Sequence, residues 1–154
     1  WDTLWAEGKP HKMAPFGMRA MMSLRLDRFF GAWMSEFSPD YSPAETGLDR
    51  FVSFKKNTDF IGKSVAEFEW ANPPVRQLVV FEVDALDADV MAYEPVFING
   101  EVQGFCTSGG YSHHADKSIA FALVPRSFVT DNLAAEIEIL GQRREAKILL
   151  EQLL

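Results

Sequence analysis

Three groups of residues in this 154-residue chain carry side chains able to do chemistry. The first is His113-His114-Ala115-Asp116, set in the glycine-rich run SGGYSHHADKS. Two imidazoles and a carboxylate are metal-ligand types, yet adjacent residues on an extended chain point apart, and no third or fourth ligand follows at a recognisable spacing. A polar loop cap suits that spacing better than a metal site. The second is Thr107-Ser108-Gly109-Gly110, which has the residues for a nucleophile elbow or an anion-binding nest. The elbow requires glycine two positions before the serine, and Cys106 stands there, so a glycine-permitted bend is expected instead. The third is Arg19 with Arg25, Asp27 and Glu45. An arginine beside the apolar line of a helix is costly to desolvate without a polar or anionic partner. The residues alone favour a structural salt bridge from Arg19 to Asp27 or Glu45. The other reading is an arginine that grips a ligand carboxylate or carbonyl through its planar fork.

The elements that must position these groups follow from periodicity. Met18, Met22, Leu26 and Phe30 recur at i, i+4, which predicts a helix over 16–30 with Arg19, Ser23 and Asp27 on the adjacent stripe. An earlier helix over 1–8 is stopped by Gly8 and Pro10, and its Trp1 and Trp5 share one face that calls for a partner surface. A turn-rich loop, SPDYSP, leads to Glu45. GLDRFVSFKK then reads as a strand, and 62–70 as a short helix. Asn72-Pro73-Pro74 marks a boundary, beyond which the pattern becomes β. Residues 77–83 and 118–124 read as strands. Asn99-Gly100 between two apolar stretches predicts a two-residue hairpin. Residues 136–140 alternate, and Gly141-Gln142 turns them toward EAKILL. About six short strands in about 80 residues predict an antiparallel barrel or sandwich.

Composition narrows the function classes. Hydrophobic residues make up 47% and aromatics 13%, enough for a core. No apolar run approaches the roughly 18 residues of a membrane helix, and no secretory leader is visible. A soluble, cytoplasmic chain is expected, without a membrane partner. Fifteen basic against 22 acidic residues give a net charge of -7. That balance disfavours nucleic acid, whose phosphates need clustered Lys and Arg. The single cysteine, Cys106, excludes an internal disulfide and reads as a small buried hydrophobe. The sequence opens at Trp1 rather than Met, which raises the expectation of a piece of a longer polypeptide.

Three stretches together resemble a known family. GMRAMMSLRLDRFFGAW is similar to the G-L/M-G/R-A-x-x-S/T-L-R-L-E segment of glycine-cleavage aminomethyltransferases (T-proteins) and their fusion relatives. SPAETGLDRFVSFKKNTDFIGKSV resembles the family's T-P-x-E-A-G-L and K-x-D-F-I/V-G-K/R-x-A. EPVFINGEVQGFCTSGGYSHHADKSIAFALV resembles the later G-x-x-V-G-x-V-T-S-G and its following strand. They lie in the family's order and cover most of 16–150. SPDYSPAETGLDRFV and TSGGYSHHADKSIA most resemble the dimethylglycine and sarcosine dehydrogenase branch. The iron–sulfur maintenance branch has a cysteine in the connector, where this chain has Thr58-Asp59-Phe60-Ile61-Gly62-Lys63.

The resemblance implies an α+β fold, with the tail of a folate-binding body over 1–71 and a C-terminal antiparallel β-barrel over 75–154. It implies tetrahydrofolate as cofactor, accepting a one-carbon unit at the formaldehyde level. Arg19 occupies the position of the family's folate-contacting arginine, and Arg25 and Glu45 match positions that support the site. Asp27 replaces the usual Glu and shortens its reach by one methylene. The family's catalytic aspartate belongs to sequence before Trp1, so no catalytic residue is expected here and the chain is expected to be inactive alone. FAD is implied for the parent protein but not for this segment. The implied partners are the upstream part of the same polypeptide and a small-molecule amine. A scaffold barrel that has lost folate binding, or a fragment of a folate-dependent demethylase, are the alternatives.

Overall fold

The computed structural model describes residues 1–85 and 87–151. The last three residues of the expected barrel region, 152–154, lie outside the described residues. Six strands form the second half: β1 (Arg76–Val83), β2 (Pro95–Ile98), β3 (Glu101–Ser112), β4 (Lys117–Pro125), β5 (Ala134–Ile139) and β6 (Gln142–Leu149). They close in the order β1-β4-β3-β2-β5-β6, with every neighbour antiparallel. Of the two all-antiparallel solutions open to the sequence, the barrel is the one adopted.

Period-two alternation decides what fills it. Val79, Phe81 and Val83 of β1, Ala120, Ala122 and Val124 of β4, and Ile137, Ile139, Ala146 and Ile148 of β5 and β6 point inward and form one core. Cys106 joins that core as a fully buried residue, and burial pushes its thiol well above the ordinary range. Two tight turns hold the register. Asn99 and Gly100 take φ of 54° and 82° between β2 and β3, as a type I′ turn requires. Between β5 and β6 the turn falls on Leu140 and Gly141, one residue earlier than Gly141-Gln142.

The first half is helical and irregular. Helices α1 (Asp2–Gly8), α2 (Met18–Asp27), α3 (Pro43–Thr46) and α4 (Lys63–Ala71) are joined by turns and loops. Helix α2 is shorter than 16–30, ending where Phe29 turns to φ 51°. GLDRFVSFKK is not a strand: Asp49–Phe51 is a 3₁₀ turn and an irregular segment follows. The closed barrel offers no edge to pair with, and Phe51 is exposed, so the apolar run has nothing to line.

Two contacts join the halves: α3 meets β1 through Glu45 and Arg76, and an apolar seam lies under α2. Strands β1 and β4 are apolar outside as well as inside, and the outward Leu78, Val80, Ile119 and Phe121 pack beneath Leu26 and Phe29. Phe29 meets Phe121 edge-on at 6.5 Å. Glycine makes the approach possible. A Cβ on Gly110 would lie 3.2 Å from Leu26 Cδ1, and one on Gly109 only 2.6 Å from Val90 Cβ. Thr107-Ser108-Gly109-Gly110 is therefore not a bend: it runs inside β3, and its glycines serve close packing.

Candidate functional site

The seam centres on a carboxylate that the sequence did not single out. Glu36, in the loop after α2, is fully buried. Its Oε2 accepts from Arg25 Nη1 at 3.1 Å, Ala32 N–H at 2.8 Å and Ser35 Oγ–H at 2.6 Å. Its Oε1 accepts from Thr107 Oγ1–H at 2.7 Å and from the Ser108 hydroxyl. Consecutive strand residues ordinarily face opposite ways. Here a β-bulge between Cys106 and Ser108 lets both hydroxyls reach one oxygen. Burial pushes the Glu36 carboxyl up, but the hydrogen bonds from Ser108, Ser35, Ala32 and Thr107 outweigh it and hold the group below its ordinary value.

Arg25 is consumed by this arrangement. Its Nη1 also donates to the Phe30 carbonyl at 3.1 Å, and its guanidinium lies 5.4 Å over the Phe121 ring. Its Nε is buried without a partner. Asp27, the last residue of α2, is 2% exposed, and its Oδ1 is likewise buried without a partner. A buried polar atom left unsatisfied is costly, so each orphan asks for a ligand atom or water.

Arg19 stands exposed at the first turn of α2, and among the described residues no ion pair includes it. The salt bridge to Asp27 does not form. Eight residues along a helix span about 12 Å, too far for contact. Nor does one form to Glu45, which is committed elsewhere. Glu45 Oε2 accepts the Ser42 N–H at 2.8 Å while Ser42 Oγ accepts the Glu45 N–H at 3.3 Å, a capping box that starts α3. Its Oε1 accepts from Arg76 Nε at the start of β1. Arg25 and Asp27 thus share the last turn of α2 without bonding to each other, and Arg19 and Glu45 stand apart from them.

His113 and His114 are exposed in the β3–β4 turn, where His113 lies edge-on to Tyr111 at 5.1 Å. The Tyr111 hydroxyl donates to Asp116, and holding that proton against the carboxylate raises the phenol's pKa. Among the described residues, no three His, Cys, Asp or Glu side chains converge as a metal site would need. Glu36 escaped notice because its barrel partners lie 71 and 72 residues away. The one available signal was an acid inside the aromatic run FFGAWMSEF.

Comparison with known proteins accounts for this architecture. The glycine cleavage T-protein C-terminal barrel domain matches residues 76–154, and the GCVT N-terminal domain matches residues 1–56. Mitochondrial dimethylglycine dehydrogenase of Homo sapiens is 37% identical over 153 residues, 99% of this chain and 18% of that protein. Aminomethyltransferase of Geobacillus sp. (strain WCH70) is 34% identical over 149 residues, 97% of this chain and 41% of that protein. The crystal structure of glycine cleavage system aminomethyltransferase T from Bartonella henselae superposes with a TM-score of 0.77 at 21% identity, covering 86% of this chain and 37% of that one. That last likeness concerns the fold. The chain spans under half the length of each of these relatives. With the barrel, the helical segment before it and both domain matches in place, the chain belongs to the glycine cleavage T-protein (aminomethyltransferase) family, with dimethylglycine dehydrogenase among its relatives.

Proposed function

We propose that this chain is the C-terminal part of the one-carbon-transferring half of a dimethylglycine or sarcosine dehydrogenase-like enzyme, and that it supplies part of a tetrahydrofolate site. The observation that carries the proposal is the orphaned, buried Oδ1 of Asp27. A pteridine presents N–H donors, and a carboxylate is acceptor-only. The fit is therefore one of complementary type: Asp27 would accept from the ring, and the unpaired Arg19 would donate to the cofactor from the same helix. The chemistry the cofactor supplies is capture of a one-carbon unit at the formaldehyde level. This chain's own contribution is to bind and orient it. The exposed apolar side chains of the helical half, among them Trp33 and Met34 at 73% and 93%, are the surface for the upstream part of the same polypeptide. Catalytic groups, and any FAD, belong there.

Titration of the longer polypeptide with tetrahydrofolate tests the proposal. Arg19→Ala should weaken affinity roughly ten- to a hundredfold, the worth of a charge-assisted hydrogen bond. Unchanged affinity would favour the scaffold alternative, which the exposed apolar helices also support. The 154-residue chain alone should show no turnover with tetrahydrofolate and formaldehyde or dimethylglycine. Visible absorbance from bound flavin in the longer polypeptide would separate the amine dehydrogenase from the folate-dependent demethylase.

A further inference from the structure

The geometry points to Glu36 as a positioning residue: its buried carboxylate locks the last turn of α2, and so Asp27, onto the barrel without touching a ligand. This rests on the folate reading of Asp27. Three elements converge on the two carboxylate oxygens, namely Arg25 from α2, Ala32 and Ser35 from the following loop, and Thr107 and Ser108 from the β3 bulge. The Arg25 side chain is only 9% exposed, so its charge needs a compensating one nearby, and Glu36 is the acid that meets it. Without that charge the guanidinium gains by turning out to water, and the turn that holds Asp27 must follow. The other ties of α2 to the barrel are the Ser23 hydroxyl on the Tyr111 carbonyl at 2.6 Å, the Arg25 guanidinium over the Phe121 ring at 5.4 Å and the apolar contact of Leu26. The bulge fits this assignment, since it puts two donors on one oxygen.

Glu36→Gln keeps the volume and one acceptor but removes the charge. Hydroxyls turn to accept as readily as they donate, so the amide NH2 would settle against Thr107 and Ser108. Amide hydrogen exchange on the chain should then quicken about tenfold across 18–28, the effect of losing about 1.4 kcal/mol of local stability, while β1 and β4 keep their protection. In the longer polypeptide, tetrahydrofolate affinity should fall by a similar factor, and adding Glu36→Gln to Arg25→Gln should produce little further loss, because the two act in series. Unchanged exchange in α2 with an intact barrel would overturn the proposal, as would full additivity with Arg25→Gln. Should Glu36→Gln fail to fold, Ser108→Ala keeps the charge and removes one donor. It should quicken α2 exchange by a smaller factor, and no change there would again overturn the assignment. If Asp27→Asn leaves folate affinity intact while Glu36→Gln still frees α2, the folate reading falls and the positioning of α2 stands.

Discussion

The two halves of the chain solve the burial problem differently. In the barrel, apolar side chains from all six strands close on one another, and Phe81, Val96, Ile137 and Ile148 are fully buried. In the helical half, α1 and α4 bury no residue at all, and Trp1, Met18, Trp33, Met34, Phe68 and Trp70 are exposed. The end of α2, the loop carrying Glu36 and the short helix α3 are held, and barrel-half atoms hold them, α3 through Arg76 on Glu45 and Arg126 on the Ala44 carbonyl. One half is thus a finished hydrophobic unit, and the other is a surface shaped for completion by something else. The candidate cofactor residues Arg19 and Asp27 lie along α2, whose end packs on the barrel.

If the barrel is the stable half, substitutions inside it should cost most. Phe81→Ala should cost about 3–5 kcal/mol in denaturant unfolding, as truncation of a large side chain in a packed core does. A loss below about 1 kcal/mol would mean that the barrel is not the stable unit. Acidification should act next, and on the seam first. The folded Glu36 carboxyl sits below its ordinary value of 4.5, so the unfolded or detached state takes up the proton more readily. Its stabilisation is complete above that value and is lost as pH falls through and below it. Exchange protection of α2 should decline there before that of β1, and the decline should flatten in Glu36→Gln. Ser42→Ala, which removes the cap of α3, should cost about 1 kcal/mol. Smallest of all, Phe68→Ala should change stability by no more than about 0.5 kcal/mol. A larger loss would show that α4 is packed in solution.

Legibility in the sequence followed the same division. Strands β1 and β4 and the Asn99-Gly100 turn are readable because β-branched and aromatic enrichment and turn chemistry are local. The turn at Leu140-Gly141 was displaced by one, since Leu140 has no side-chain reason to adopt positive φ and is forced there by the paired strands. GLDRFVSFKK has strand composition, yet composition cannot supply a partner strand. Gly109 and Gly110 look like breakers in the sequence because the neighbours that need their bareness, Val90 and Leu26, lie far off along the chain. Arg19, Arg25 and Glu45 could be singled out by residue type and by resemblance. That Arg25 answers to Glu36, and Glu45 to Arg76, depends on partners 11 and 31 residues apart, which no local periodicity reports.

Barrel closure also bears on handling the protein. A sheet with a free rim templates fibrous, strand-to-strand growth, and a ring of six mutually paired strands presents no such rim. Any self-association of this polypeptide should therefore run through the greasy helical side, by contacts that mild detergent reverses and that leave thioflavin dark.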